Sequence, residues 1–406
     1  MSSAYMKRAL ALAARASGDT SPNPLVGAVV VRDGHVVGEG FHRRAGAAHA
    51  ERVALRKAGA RSRGATLYST LEPCAHRGRT PPCTSAIIAA GIKRVTIAIE
   101  DPDSKVNGRG IAAMRRAGIE VEIGDGASSA REQNRAYIAQ RTTGRPFVTL
   151  KIAQTLDGYV ARRKGERTQI TGPAAARFTR RQRIEHDVVM VGVETAIVDD
   201  PMLTVRPPHR RAVPYVRVVV DSRGRIPLHA KLITDQRSAR TIVATTHAMP
   251  AAVRAALVAR GVHVMNCKRT SAGRVDLRDL LARLGRQGHL SVLCEAGPTL
   301  ARALVSARLV DRIHWLIAPI RFGVTLARNG PRTRPVQAPL MPRAHVERVR
   351  RIGRDTLIEA APEVHSSSPD SSRIVARSSA SARGRARAGS SSKARRSAKP
   401  KRRAQA

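Results

Sequence analysis

The chain has 406 residues, a length that favours two folded domains over one. Hydrophobic residues make up 42% of it but aromatic residues only 2%, so we expect a core of Ala, Val, Leu and Ile and no broad aromatic surface for single-stranded nucleic acid. Four cysteines cannot build the disulfide framework of a small secreted domain, and no apolar run is long enough to span a membrane. A cytoplasmic protein without a membrane segment is therefore expected.

The chain is strongly basic, with 73 Lys and Arg against 30 Asp and Glu and a formal net charge of +43. The excess is not confined to residues 363–406, so a basic tail alone does not explain it. Such a charge favours anionic small molecules, and it also favours non-specific binding to nucleic acid or acidic lipid. A compositional bias toward Arg on solvated faces is the alternative, and charge alone does not select a substrate.

Residues 1–145 are predicted to form an α/β domain, because short β-branched runs alternate with helical stretches that end in Gly. The predicted strands cover residues 25–31, 65–71, 94–99 and 119–123. The first residues combine Arg, Ser and Ala as a transit peptide does, but Tyr5, Leu10 and Ala13 recur at helical spacing, which favours an ordinary first helix.

Residues 146–362 are predicted to form a second α/β domain, after a turn-rich link at residues 142–146. Its predicted strands cover residues 147–153, 187–193, 216–222, 241–246, 262–267, 290–297 and 312–319. Residues 363–406 are rich in Ser, Ala, Arg and Lys and are predicted to be a disordered tail, from which we expect non-specific contact with nucleic acid. The terminal cluster KPKRR resembles a nuclear address, but a solvated extension is the preferred interpretation.

Three short motifs indicate a metal site: His49-Ala50-Glu51, Glu72-Pro73-Cys74 and the later Cys83. One imidazole and two thiolates suit zinc and leave a fourth position for water, as in a catalytic site. Zinc deaminases carry this H-x-E and P-C pattern, in which Glu51 would move protons. The usual spacing is P-C-x-x-C, whereas eight residues separate these thiols; two unrelated cysteines and a surface His are the alternative.

The insert between the cysteines, CAHRGRTPPC, resembles the family of bifunctional riboflavin-biosynthesis deaminase/reductases, which has H-A-E and P-C-x-H-x-G-R/K-T-P-P-C. Residues 22–27 and 101–110 are similar to that family's substrate loops, and the resemblance covers about residues 1–360. It implies a cytidine-deaminase-like α/β/α domain that deaminates a diaminopyrimidinone ribosylamino phosphate. Asn23 and Arg79 would bind this substrate.

The same resemblance implies a dihydrofolate-reductase-like α/β fold and NADPH for the second domain, where no G-x-G-x-x-G follows a strand. The implied cofactor residues are Ala153, Gln169, Thr195, Asp199, Ser222, Gly297, Pro298, Thr299, Leu300, Ala301, Arg302 and Ala303. The implied substrate residues are Arg167, Arg183, Leu203, Arg206 and Glu295. Gly297-Pro298-Thr299 also follows a predicted strand and opens a predicted helix, where backbone N–H groups can receive phosphate. Arg167 and Gln169 depart from the family pattern, which has a small hydroxyl residue and an aromatic residue there.

These observations predict an enzyme with two consecutive activities, a zinc deaminase and an NADPH-dependent reductase, expected to be a homo-oligomer. The alternative is a nucleic-acid or nucleoside zinc deaminase with a degenerate reductase-like domain and a nucleic-acid-binding basic tail. The insert GRTPPC and the reductase motifs argue against it.

Overall fold

Two β-sheets organise the chain, one formed by residues 27–123 and the other by residues 147–362. The computed structural model describes residues 2–76, 81–104, 106–205, 214–323, 335–339 and 341–363. Separate apolar cores, made mostly of Ala, Val, Leu and Ile as predicted, pack against the two sheets. Among the described residues, no helix has the length and apolarity needed to cross a bilayer. The predicted tail lies almost entirely outside the described residues.

The first half, residues 2–145, contains a five-stranded sheet in the order β2-β1-β3-β4-β5. β1 pairs antiparallel with β2 and β3, and β3, β4 and β5 are parallel. Its elements are α1 Ala4–Ala14, β1 Gly27–Arg32, β2 His35–Phe41, α2 Ala50–Ala58, a 3₁₀ helix Gly59–Ser62, β3 Thr66–Ser69, α3 Cys83–Ala89, β4 Arg94–Ile97, α4 Arg109–Arg116, β5 Glu120–Ile123, α5 Ala127–Gln133 and α6 Arg135–Thr143. The predicted strands and first helix are present, and the predicted link is shorter because α6 continues to Thr143 before Gly144 caps it.

Strand β2 is the element of the first sheet that the sequence pattern missed. It follows a tight turn at Asp33 and Gly34, which both have positive φ, at 48° and 75°. Such a pair is typical of the two-residue turns that join antiparallel strands. The hairpin brings Gly38 of β2 against helix α2, the helix that begins directly after His49.

The second half, residues 146–363, contains a nine-stranded sheet in the order β11-β10-β9-β8-β12-β6-β13-β16-β15. Its strands are β6 Phe147–Thr155, β8 Val188–Gly192, β9 Val216–Val220, β10 Arg240–Thr245, β11 His263–Asn266, β12 Ser291–Glu295, β13 Arg312–Ala318, β15 Ala344–Ile352 and β16 Asp355–Pro362, and β7 Tyr159–Ala161 pairs with β14 Val336–Gln337. Its helices are α7 Pro173–Glu185, α8 Val193–Asp199, α9 Lys231–Thr234, α10 Ala251–Ala259, α11 Leu277–Arg286 and α12 Pro298–Ser306. In the order of the sheet, the seven strands from β11 through β6 to β13 are parallel, whereas β16 and β15 are antiparallel to their neighbours.

The parallel strands place several predicted site residues at one edge of this sheet. Glu295 ends β12, Ser222 follows β9, and Thr195 lies in the helix that directly follows β8. Lys151 on β6 is the register partner of Glu295. Because open parallel sheets bind ligands outside the carboxyl ends of their strands, this edge is where a site is expected.

The first half contacts the opposite, amino edge of the nine-stranded sheet. Ser21 Oγ donates to the carboxylate of Asp187, which precedes β8, at 2.8 Å. Arg145 forms a bidentate ion pair with Asp311, which precedes β13, at 2.6 and 2.8 Å. A cavity of about 290 Å³ at this junction is lined by residues of both halves, among them Asn23 and Ser291.

Candidate functional sites

The predicted zinc ligands converge in the first half. His49 is the residue before helix α2, Cys83 is the first residue of α3, and Cys74 lies in the loop after β3. His49 Nδ1 lies 3.2 Å from Cys83 Sγ and 3.6 Å from Cys74 Sγ, and one donor atom from each residue falls within 4.8 Å of the others. One imidazole nitrogen and two sulfurs in this compact arrangement fit a tetrahedral zinc with one open position.

The two thiols differ in acidity. Hydrogen bonds with Cys83 and, to a smaller extent, with His49 lower the pKa of Cys74 to about 4. The same bond to Cys74, together with burial, raises the pKa of Cys83. The cluster therefore carries one ready thiolate, the form of cysteine that binds metal.

Glu51 lies in the first turn of α2, two residues after His49, and only 3% of its surface is exposed. Burial raises the pKa of its carboxyl group to about 6. Its Oε2 atom is buried and forms no hydrogen bond with another described residue. A carboxyl group with a pKa near neutrality and a free oxygen beside the cluster can both accept and donate a proton.

Glu72 is a functional candidate that the sequence did not assign. Its buried carboxylate accepts hydrogen bonds from the backbone N–H groups of Asp101, Gly108, Gly110 and Ile111 at 2.9–3.3 Å. It thereby ties the loop that carries Cys74 to the loop from residue 101 to the start of α4. Gly110 permits this approach, because a Cβ atom there would lie 2.1 Å from the carbonyl oxygen of Pro73.

Of the two predicted substrate residues in this half, the structure describes one. Asn23 Nδ2 lies 3.0 Å from Nε2 of the buried His42, and the ring of His42 meets the ring of His49 edge-on at 5.4 Å. Asn23 is thus linked to the ligand cluster through one side chain. Arg79 lies outside the described residues.

A cavity of about 920 Å³ opens at the carboxyl edge of the second sheet. Seven of the predicted cofactor residues line it: Thr195, Ser222, Gly297, Pro298, Thr299, Leu300 and Ala303. Gly297 precedes helix α12, and a Cβ atom there would lie only 3.0 Å from Thr195 Oγ1, so the missing side chain lets Thr195 approach this helix start closely. A helix N-terminus in a cavity of this size fits the diphosphate of a dinucleotide.

The other predicted cofactor residues do not line this cavity. Ala301 is fully buried in the core, and Arg302 is exposed on the same helix. Gln169 is exposed and donates to the carbonyl oxygen of Thr171 at 3.1 Å. Ala153 packs against a small apolar cluster next to β13, and Asp199, whose pKa is raised by burial, is the last residue of α8.

Two of the five predicted substrate residues, Arg183 and Glu295, form an ion pair at the end of β12. Arg183 forms a bidentate ion pair with Glu295 at 2.6 and 3.0 Å and also donates to the carbonyl oxygen of Thr204 at 2.9 Å. Arg183, implied as a substrate residue, is therefore already engaged with a carboxylate. Leu203 is buried with a φ of 51°, a strained backbone often found at functional sites. Arg206 lies outside the described residues.

Lys151 is the second functional residue that sequence reasoning left without a role. Burial lowers the pKa of its ammonium group, and the charge of Glu295 partly offsets this effect. Burial alone would raise the pKa of Glu295, but the charge of Arg183 lowers it below its ordinary value. The positive charge of Arg167, the residue that departs from the family pattern, partly offsets the rise that burial causes in the pKa of Asp199. The half-buried Lys151 and Glu295 can thus hold a proton and a negative charge, respectively, near the strand end that leads to Gly297.

Comparisons with known proteins agree with both halves. The model of the cytidine and deoxycytidylate deaminase zinc-binding region matches residues 1–99, and the model of the RibD C-terminal domain matches residues 146–358. The riboflavin biosynthesis protein RibD of Aquifex aeolicus is 41% identical over 354 residues, which cover 87% of this chain and 96% of that protein. RibD of Escherichia coli K12 is 41% identical over 335 residues, covering 79% and 88%.

Two solved structures share the fold over most of the chain. RibD of Acinetobacter baumannii, form 1, has a TM-score of 0.78 at 36% identity and covers 89% of this chain and 98% of that chain. The diaminohydroxyphosphoribosylaminopyrimidine deaminase/5-amino-6-(5-phosphoribosylamino)uracil reductase of Thermotoga maritima has a TM-score of 0.75 at 33% identity and covers 88% and 98%. The predicted fold class is confirmed, and the chain belongs to the RibD family of bifunctional riboflavin-biosynthesis deaminase/reductases, with zinc and NADPH as its cofactors.

Proposed function

We propose that the first half removes the 2-amino group of 2,5-diamino-6-ribosylamino-4(3H)-pyrimidinone 5′-phosphate by hydrolysis, at a zinc held by His49, Cys74 and Cys83. The observation that carries this proposal is the convergence of these three donors beside the buried, unpartnered oxygen of Glu51. Zinc supplies Lewis acidity that activates water near neutral pH.

The residues around the zinc site have separable roles in this proposal. Glu51 takes a proton from water and delivers it to the departing amine, which its pKa of about 6 permits at cellular pH. Asn23, oriented by His42, binds the pyrimidine, and Arg79 binds the phosphate. Glu72 holds the loop from residue 101 in place over the site.

We propose that the second half then reduces the ribosyl unit of the deaminated product to a ribityl unit with NADPH. The hydride goes to C1 of the sugar, and the ring oxygen that leaves C1 must gain a proton. Lys151 is the better donor of the two ionisable neighbours, because its pKa is lowered whereas Glu295 is held ionised by Arg183. Gly297 to Leu300 and Ala303 line the dinucleotide cavity, with Thr195 and Ser222 on its other wall.

One assay tests both activities. The purified full chain is incubated with the diaminopyrimidinone phosphate, with and without NADPH, and the products are followed by mass spectrometry. We expect the deaminated product alone without NADPH and the ribityl product when NADPH is present. Deamination without any NADPH-dependent product would overturn the reductase proposal alone. If the protein instead reduces supplied deaminated intermediate but does not deaminate the diaminopyrimidinone phosphate, the deaminase proposal alone is overturned.

We propose that the enzyme works in the cytoplasm as a homo-oligomer, and that the halves divide near residue 145. Strand β15 supports self-association, since it is an outer strand of the described sheet and exposes Val346 and Val349 by 51% and 59%. Light scattering of the purified chain tests the oligomer, and a monomer at micromolar concentration would overturn it.

We further propose that the basic tail contacts nucleic acid without sequence preference, on the basis of its composition. A chain that ends at Pro362 keeps both activities and loses only salt-sensitive binding to DNA. Unchanged DNA binding in the shortened chain would contradict this role.

A further inference from the structure

The dinucleotide cavity has a basic end away from the charged cluster around Lys151. The cavity extends from Gly297 on the β12 side to Ser222 and the turn at residues 269–275 on the β9 side. From β6 to β9 the sheet crosses three strand spacings, roughly 14 Å. A dinucleotide whose reactive ring lies near Lys151 therefore directs its adenosine toward Ser222.

The backbone at this end is fixed by hydrogen bonds. Ser222 Oγ accepts from the N–H of Val275 at 2.9 Å, which joins the segment after β9 to the turn at residues 269–275. The fully buried Asp221 accepts from the N–H groups of Arg223 and Ile226 at 3.4 and 2.9 Å. These contacts bring Arg223 and Arg274, which flank the bonded pair, to the same end of the cavity.

Four other charged groups of the cavity lining already have partners. Glu194 pairs with Arg225 at 2.5 Å, and Asp276 accepts from the backbone at the start of α11. Arg278 donates to the carbonyl oxygen of Ala307 at 2.5 Å. By contrast, Arg223 and Arg274 also line the cavity, and their guanidinium groups make no hydrogen bond or ion pair with another described residue.

We infer that Arg223 and Arg274 form the subsite for the 2′-phosphate of the cofactor and so set its preference for NADPH over NADH. This inference rests on the proposed reductase function. Two guanidinium groups offer several N–H donors to a phosphate dianion, and charge-assisted bonds of this kind are among the strongest in proteins. NADH differs by a hydroxyl in place of this phosphate, and it gives the two arginines no anion to bind.

The test compares dissociation constants for NADPH and NADH, measured by nucleotide fluorescence with the zinc-loaded full chain and R223A, R274A and the double variant. We expect each single variant to bind NADPH about tenfold more weakly and the double variant about 100-fold, with NADH changed less than twofold. The affinity for adenosine 2′,5′-bisphosphate should fall by the same factor in these variants, whereas the affinity for 5′-AMP should not change. R237A, an exposed arginine outside the cavity lining, is the matched control and should bind both cofactors as the wild type does.

Other results have distinct meanings. An equal loss for NADPH and NADH in the double variant would overturn the subsite, because the arginines would then bind a part common to both. A loss selective for NADPH in K164A but not in the double variant would assign the subsite to Lys164, another cation of the cavity lining. Failure of the wild type to bind either nucleotide would instead count against the reductase proposal, which the product assay tests separately.

Discussion

Glu51 is the residue on which the deaminase proposal depends most directly. We expect Glu51→Gln to keep its zinc, since the three ligands are unchanged, but to deaminate about 10²- to 10⁴-fold more slowly, because a carboxamide cannot move protons. Zinc content and the rate of deamination are measured on the same preparation. Glu39→Gln, at a surface ion pair with Arg8, is the control and should be fully active. A zinc-loaded Glu51→Gln enzyme with normal turnover would remove Glu51 from the mechanism.

Substitution of Glu72 should affect both substrate binding and stability, unlike substitution of Glu51. In Glu72→Gln one acceptor oxygen becomes an NH₂ donor that faces backbone N–H groups, so the loop from residue 101 loses its anchor. We expect deamination to fall at least tenfold with a raised KM, and the free energy of unfolding to fall by about 1 to 3 kcal/mol. Steady-state kinetics and urea unfolding measure the two effects. Reduction of supplied intermediate serves as the internal control, and unchanged deamination would show that the loop holds its position without Glu72.

Lys151→Met separates the two activities. Methionine keeps an unbranched side chain of similar length but cannot donate a proton or carry charge. We expect NADPH-dependent reduction to fall by at least about 10²-fold, while NADPH binding and deamination stay near wild-type values. Stopped-flow oxidation of NADPH with supplied intermediate measures the rate. Reduction at more than a tenth of the wild-type rate would exclude Lys151 as the proton donor.

The contrast between these residues shows what the sequence could predict. His49, Glu51, Cys74 and Cys83 lie in short motifs whose chemistry is specific, and the structure brings them together. Lys151 and Glu72 lie in equally short motifs, but their roles depend on contacts across strands and loops. Neither the register of β6 on β12 nor the closure of residues 101–111 onto Glu72 can be read from local spacing.

At the scale of elements, the position of the zinc site depends on how closely α2 approaches β2. A Cβ atom on Gly38 would lie 2.2 Å from the carbonyl oxygen of Ala54, so Gly38→Ala must displace the helix that follows His49. We expect the free energy of unfolding to fall by about 1 to 3 kcal/mol and zinc to dissociate more readily. Urea unfolding and competition with a zinc chelator measure this. Val36→Ala, at an exposed position of the same strand, should change neither quantity. Wild-type stability in Gly38→Ala would show that the helix can shift without cost.

The strands that periodicity predicted and those it missed differ in burial. Buried parallel strands such as β8 and β12 form continuous apolar runs, which the sequence displays directly. Strand β15 has the sequence AHVERVRRI and is exposed at most positions. Its charged residues interrupt the apolar run by which a strand would be recognised in the sequence. The sequence therefore predicts the centre of the sheet, where the cofactor cavity opens, better than its antiparallel edge.

At the scale of the whole molecule, the ion pair of Arg145 with Asp311 joins the link between the halves to the second sheet. Asp311 also accepts from the N–H of Val148 at 2.7 Å. We expect Asp311→Ala to lower the free energy of unfolding by about 2 kcal/mol, since it leaves a guanidinium and a backbone donor without their acceptor. Thermal unfolding measures this, with the exposed Glu166→Ala as the control. A wild-type midpoint in Asp311→Ala would show that the junction does not depend on this pair.

The placement of the first half against the amino edge of the nine-stranded sheet bears on how the intermediate travels. The junction cavity adjoins the beginnings of β6, β8 and β12, whereas the cofactor cavity opens where the parallel strands end. We therefore expect the deaminated compound to leave its first site and to reach the second site through bulk solution. Oxidation of NADPH should then begin with a lag that shortens as the enzyme concentration rises, and unlabelled intermediate added to the solution should dilute the label in the final product.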